Sequence, residues 1–387
     1  MTGGKCEGNC LLCGKCKGFA ILDSYGEHTE GIEPREGCGI AVDVGTTTVV
    51  LALADLASGR CLSRASFMNP QRAFGPDVIS RIGAANDGHL HTMKNALAEE
   101  MNKHILPLTE RAGVTPREVT AAAVAGNTAM TYIMLGLPCE SLGVLPFEPA
   151  FPVEPSYPFG HLFGECGVSA PTRVFPHLAP FVGGDITAGL LCALQEKAGR
   201  FLLMDLGTNG EMALRDGGKL AVTSSAAGPA FEQTCSGGAS AALAELARLV
   251  RGGLVDESGL LQGDSAFTQA QVRALQLAKS AVRAGVELLM QKAGVDADGI
   301  DAVYLAGGIG QAIDVGDAVA VGLLPQTLAR LARPAGNTSL GGAARYLAAP
   351  SRSDAVVAEL TGAASHVNLA AHPRFNDLFM EYMGFDV

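Results

Sequence analysis

An α/β chain of two lobes is what the sequence predicts, and three observations predict it. A short apolar strand ending in Asp-x-Gly-Thr occurs twice, at Ile40-Ala41-Val42-Asp43-Val44-Gly45-Thr46-Thr47 and at Leu202-Leu203-Met204-Asp205-Leu206-Gly207-Thr208-Asn209. Each copy is followed by a second extended run and, after a turn, by a third. The 387 residues, 48% of them hydrophobic and 17% charged, suffice for two cores of ordinary domain size. An Asp-Gly turn alone is common hairpin chemistry. The same strand, turn and strand in two distant places points to a duplicated unit.

The elements follow in order. Residues 1–38, rich in Cys, Gly, Lys and Glu, read as a small appendage with a linker. The first lobe (39–181) opens with strands Ile40–Val44, Thr48–Ala54 and Arg60–Phe67. A polar stretch, Asn69-Pro70-Gln71 to Arg81, leads to a helix from about Leu90 to Ala112, disturbed at Pro107. Thr120–Val124 reads as a buried strand running into Gly126-Asn127-Thr128. From Pro138 to Pro180 the density of Pro, Phe and Gly predicts loops and edge strands. The second lobe (182–348) begins at Gly183-Gly184-Asp185 with a helix to about Glu196, and its three strands occupy Arg200 to Ser225. Thr268–Ala293 is the strongest helix. Val272, Leu275, Val282, Val286 and Leu289 share a stripe, Thr268 and Gln271 form a capping box, and Gly294 follows the last turn. Strand Ala302–Ala306 stops at Gly307-Gly308-Ile309-Gly310, and a tail (349–387) ends in aromatics between Phe375 and Phe385.

Charge and cysteines narrow the class of function. A formal net charge of −11 argues against nucleic-acid and anionic-membrane partners. No run of apolar residues is long enough to span a bilayer, and the N-terminus lacks the apolar core of a signal peptide, so the expected location is cytoplasmic. Cys6, Cys10, Cys13 and Cys16 cluster, whereas Cys38, Cys61, Cys139, Cys166, Cys192 and Cys235 are scattered. In a reducing compartment the cluster reads as metal ligands and the scattered thiols as small buried residues. Four thiolates this close suit one 4Fe–4S cluster. A zinc ion usually takes paired knuckles on a longer loop, and it remains the alternative beside unligated thiols.

The two turns offer amides and hydroxyls that can surround an anion, and an Asp closing each strand can hold a magnesium ion or orient water. With the glycine turn after Leu305, the set resembles the ATPase superfamily of actin, sugar kinases, acetate kinase and heat-shock chaperones. The resemblance implies two ribonuclease-H-like lobes with a nucleotide cleft between them. It implies Asp43 and Asp205 as magnesium-orienting and catalytic carboxylates. Gly45, Thr46, Thr47, Gly207, Thr208 and Asn209 would wrap the phosphates, and Gly307 and Gly308 would face the adenosine. Lys279 and Arg283 would line the base, or else belong to a solvated helix face. Asp185 is a catalytic candidate or a helix cap, and Glu211 is a further polar candidate. His89 and His91 read as solvated, and the small-residue run Ala226–Glu232 as lying near the nucleotide or a partner.

Taken together, the segments Ala41–Val50, Asn69–Ile82, Ala125–Met130, Phe181–Ala188, Met204–Met212, Ala226–Glu232, Gln276–Gly285, Leu305–Gly310 and Gly336–Ala343 resemble the ATPase domain of reductive activators of corrinoid-dependent enzymes. That resemblance covers about Gly39 to Phe385. It implies ATP-dependent return of Co(II) to Co(I) by one-electron transfer from an iron–sulfur cluster. The implied cofactors are ATP, Mg2+ and a 4Fe–4S cluster. The implied partners are a corrinoid protein of a methyltransferase system and a reduced ferredoxin or flavodoxin, with a homodimer as an option. Better-known members carry a 2Fe–2S ferredoxin domain before the ATPase or clusters at the C-terminus. Residues 1–38 are too few for a ferredoxin fold and the tail has no cysteine, so the quartet is expected to stand in for the larger module. The alternatives are an activator of another low-potential enzyme, a small-molecule kinase, and a chaperone-like nucleotide switch.

Overall fold

A computed structural model describes residues 32–225, 239–263 and 265–385. They fold as two compact units. One comprises residues 32–195 together with Asn337–Gly362; the other comprises Glu196–Gly336 together with residues 363–385.

The first unit is built on a six-stranded sheet of order β3-β2-β1-β4-β6-β5. Its strands are β1 (Cys38–Val44), β2 (Thr48–Asp55), β3 (Cys61–Met68), β4 (Val119–Gly126), β5 (Ser156–Pro158) and β6 (Pro171–Val174). β1 to β3 form an antiparallel meander, and β1, β4 and β6 run parallel. Because side chains alternate across a strand, Ile40, Val42 and Val44 face one side, and Ala41 and Asp43 the other. The first side packs on helix Leu90–Glu110 through Met93, Leu97, Met101, Ile105 and Leu108, which recur on one stripe. That helix runs through Pro107 to Glu110. The second side carries Ala41, Ala52, Ala121, Ala123 and Ala125 against helices Gly184–Ala193 and Thr338–Ala348. Small residues there let the helices sit close to the sheet, which brings the start of the second helix to Asp43.

The second unit repeats the plan with order β11-β10-β7-β8-β9-β12. Here β7 (Arg200–Leu206), β8 (Gly210–Asp216) and β9 (Lys219–Ser225) are the meander. β10 (Ala302–Ala306) and β11 (Ala332–Gly336) run parallel to β7, and β12 (Ala364–His366) extends the far edge beside β9. Leu202, Met204 and Leu206 pack on helices Ala239–Arg251 and Gln269–Ala293. Thr268 caps the longer helix in a capping box with Gln271, and Gly294 ends it at φ +68°. In both units a three-stranded meander continues into two parallel strands, β4 and β6 in the first and β10 and β11 in the second, which makes each a ribonuclease-H-like lobe within an α/β fold.

The structure contains further helical segments, in the polar stretch after Asn69, ahead of the long helix of the second unit, and in the tail. Pro70–Phe74 is a 3-10 turn and Val78–Ala84 a helix, Ala239–Arg251 is helical, and the tail contains helices Pro350–Ala363 and Phe375–Glu381. No helix among the described residues is long and apolar enough to cross a membrane.

Candidate functional site

In the first unit, the turn after β1 is held by side chains from three other elements. Gly45 is required there, since a Cβ would lie 2.5 Å from the Thr48 carbonyl oxygen. Asn69 uses its Oδ1 to cap the Pro70–Phe74 turn, accepting from Gln71 N at 3.0 Å, and donates Nδ2 to the Gly45 carbonyl at 2.8 Å. Asn127 caps helix Thr128–Leu135 by accepting from Met130 N at 2.9 Å, and donates Nδ2 to Thr46 Oγ1 at 2.9 Å. Asn337 caps helix Thr338–Ala348 by accepting from Leu340 N at 2.8 Å, and donates Nδ2 to Asp43 Oδ2 at 2.7 Å. Ser339 donates its hydroxyl to the other Asp43 oxygen at 2.9 Å. Burial holds the Asp43 carboxyl above the usual range, and the bonds from Asn337 and Ser339 offset only part of that rise.

Each asparagine therefore divides its amide between a helix end and the turn. The orientation is fixed by chemistry, because only oxygen can accept from the cap N–H and only nitrogen can donate to a carboxylate or carbonyl. None of the three, nor Ser339, is named a site residue by sequence reasoning. A signal for two of them is present: Ala-Gly-Asn-Thr occurs at Ala125–Thr128 and again at Ala335–Thr338, each time between a strand and a helix. Gly183 fixes one of these caps further. A Cβ on it would collide with the backbone of Asn127 and Thr128, so the start of helix Gly184–Ala193 packs directly on that cap. Asp185 lies in the first turn of this helix and accepts from Ile186 N at 2.9 Å, while the capping position itself is Gly183.

In the second unit, Asp205 ends β7 beside Gly307 at the end of β10. Gly307 has φ +80°, and a Cβ on it would collide with Asp205 Oδ1 and approach Leu206 O at 2.7 Å. The third sequence element thus meets the second Asp-x-Gly-Thr turn. Gly308 faces open space. Gly207 N donates to Asn209 O at 2.9 Å, closing the turn, and Asn209 Nδ2 donates to Glu211 Oε1 at 3.2 Å. Thr208 and Glu211 are buried. Each turn by itself offers hard-oxygen and amide donors: in the first unit the Asp43 carboxyl, the Thr46 hydroxyl and backbone approached through Gly45, and in the second the Asp205 carboxyl, the Thr208 hydroxyl and backbone approached through Gly307. Donors of that chemistry suit magnesium and phosphate.

Lys279 does not lie on a solvated helix face. It is 1% exposed, its ammonium donates to the Gly384 carbonyl, and it lies 4.7 Å from the Phe385 ring centroid. Arg283 stacks on Tyr382 at 4.5 Å. With Gln276 donating to Met383 O at 2.6 Å and Ser280 to Phe379 O, this helix face anchors the C-terminal segment. Cys38, Cys139 and Cys192 are buried, and Cys61 and Cys166 half-buried. Burial, helped by Glu140, pushes the Cys139 thiol up to about 12, which keeps it protonated and unreactive. His89 packs on Phe74 at 5.6 Å and His91 is exposed. Cys6, Cys10, Cys13, Cys16, Cys235 and the segment 226–232 lie outside the described residues. Among the described residues no group of His, Cys, Asp and Glu is arranged to hold a metal.

Two family models together match most of residues 38–386. One, the RACo middle region, covers residues 38–197; the other, the C-terminal domain of RACo, the ASKHA domain, covers residues 200–248 and 250–386. The corrinoid activation enzyme RamQ of Eubacterium limosum is 29% identical over 426 aligned positions, spanning 88% of this chain and 69% of RamQ. A solved reductive activator for corrinoid, iron-sulfur protein superposes with a TM-score of 0.80 at 29% identity, over 90% of this chain and 66% of the other. The chain thus spans about two thirds of the length of these relatives. It belongs to the family of reductive activators of corrinoid proteins.

Proposed function

We propose that this member of the family is an ATP-dependent reductive activator, acting in the cytoplasm, that returns the Co(II) form of a corrinoid protein to Co(I). The observation that carries the reading is the continuity of the family match through both units, with an Asp-x-Gly-Thr turn at the same place in each sheet. Reduction to Co(I) is uphill from ordinary donors, at about 2.3 kcal/mol per 100 mV, so an energy source is needed. When bound, the nucleotide supplies that free energy and a 4Fe–4S cluster supplies a one-electron, low-potential donor.

The chain's own residues bind and orient. Gly45, Thr46, Thr47, Gly207, Thr208 and Asn209 hold phosphate oxygens, and Gly307 and Gly308 leave room for the adenosine. Asp43 and Asp205 orient the magnesium waters and the attacking water, with Asp185 and Glu211 as further polar groups. Cys6, Cys10, Cys13 and Cys16 supply four thiolates of the type an iron–sulfur cluster takes. The partners are a corrinoid protein of a methyltransferase system and a reduced ferredoxin or flavodoxin.

The test is anoxic. The protein is mixed with a corrinoid protein poised as Co(II) and a reduced donor, and the Co(I) absorbance band is followed. It should grow with Mg-ATP and stay flat without it, and Asp205→Ala should abolish both that growth and ATP turnover. Co(I) formation indifferent to ATP would end the reading.

A further inference from the structure

The asparagines around the first turn do more than cap helices, and what each one touches differs in kind. Asn337 meets a carboxylate oxygen of Asp43, whose second oxygen is taken by Ser339. Both oxygens are therefore fixed by donors from one helix start, and the carboxylate cannot rotate without losing both bonds. Asn127 meets a hydroxyl. Thr46 Oγ1 accepts its amide hydrogen, and a hydroxyl has one hydrogen of its own, which that bond turns away from Asn127. Thr46 is 7% exposed, and Asn127 is also 7% exposed and seated on Gly183, so the heavy atoms of both are confined and only the hydroxyl hydrogen can turn.

We propose that these are positioning residues with separate tasks: Asn337 and Ser339 fix the Asp43 carboxylate for the reaction, and Asn127 keeps the Thr46 hydroxyl hydrogen turned toward a phosphate oxygen of the nucleotide. The inference rests on the nucleotide reading above and deepens it. It assigns orientation of the reacting groups to Asn337 and Ser339, and ground-state binding to Asn127.

Asn→Asp substitutions separate capping from positioning. Aspartate caps a helix as well as asparagine, so the helix starts survive the change. Only the amide donor is lost. In Asn337→Asp a carboxylate faces the Asp43 carboxylate. In Asn127→Asp the Thr46 hydroxyl reverses, gives its hydrogen to the new carboxylate, and turns a lone pair toward the phosphate. Steady-state Mg-ATP hydrolysis by the full-length, anoxically purified protein is the readout, with melting temperature followed beside it. Asn337→Asp should lower kcat about tenfold or more with KM little changed, because an interaction needed in the transition state is lost. Asn127→Asp should raise KM about tenfold and act mainly there, because uniform binding is lost.

Ser339→Ala removes a donor without adding charge, and serves if Asn337→Asp folds poorly; it should lower kcat in the same direction. The proposal is overturned if Ser339→Ala and a folded Asn337→Asp keep the parental kcat. It is equally overturned if Asn127→Asp and Asn337→Asp shift kcat and KM in the same proportion, as a purely structural role would. A parent protein without Mg-ATP turnover is a different failure. It removes the nucleotide reading itself, and this inference with it, before any variant is compared.

Discussion

Glycines that look alike in the sequence have unlike duties. Gly307 and Gly207 both lie beside Asp205, but only the first is forced to be glycine. Gly307 sits at φ +80°, where an L side chain costs about 1–2 kcal/mol, and its missing Cβ is the space Asp205 Oδ1 occupies. Around Gly207 the nearest atom to an added Cβ is Asp205 Oδ1 at 3.9 Å, an ordinary contact. Gly307→Ala should therefore lower stability by about 1–3 kcal/mol, combining backbone strain with a displaced carboxylate, and reduce ATP turnover further than the stability loss explains. Gly207→Ala should leave the unfolding free energy from urea titration within about 0.5 kcal/mol of the parent, with a nearly unchanged midpoint. Equal midpoints for the two variants would mean that the end of β10 does not press on Asp205 as described.

The contact between helices Gly184–Ala193 and Thr338–Ala348 is the element whose geometry the first turn depends on. A Cβ on Gly342 would run into the Ala188 carbonyl, so this pair of helices crosses with backbone against backbone. Gly342→Ala must push them apart and should cost about 1–3 kcal/mol, or more, in urea unfolding. Gly362→Ala, near the end of helix Pro350–Ala363 with nothing within 4 Å, should be neutral to slightly stabilising and controls for helix propensity. If Gly342→Ala proved equally harmless, the close crossing would be wrong. Legibility in the sequence divides along the same line of local against distant. The strands of both meanders and the capped helix Gln269–Ala293 are readable because alternation, the Asp-x-Gly-Thr turns and the Thr268–Gln271 box are local signals. Asn69, Asn127 and Asn337 are not, because they act on a turn 24, 81 and 294 residues away. Helix Ala239–Arg251 has a readable stripe in Leu243, Leu246, Ala247 and Val250, yet it follows a glycine-rich run that suggested no element. Lys279 shows a further limit. A helical stripe tells which side is covered, but not that residues Phe379 to Phe385 are what cover it.

At the scale of the whole molecule, the two kinds of chemistry proposed for the chain draw on separate stretches of sequence. Among the described residues, the cores of both units draw on residues from Cys38 to Phe385. Among the described residues, too, Asn69, Asn127, Asn337 and Ser339 hold the first turn, and Asn209 bonds Glu211 beside the second. The family models match within residues 38–386, and the cysteine quartet at residues 6–16 precedes both matches in the sequence. Replacing Cys10 and Cys13 together by Ser in the full chain should therefore leave the melting temperature and Mg-ATP turnover near those of the parent, while halving the thiolates offered to a cluster. Iron content after anoxic reconstitution should fall, the EPR signal of a reduced cluster should vanish, and Co(I) formation should stop even with ATP present. Iron and cobalt reduction that survived the double substitution would remove the quartet from the electron route. Loss of ATP turnover in a folded variant would instead mean that the amino-terminal segment takes part in the nucleotide chemistry, and that the two functions are not separable along the chain.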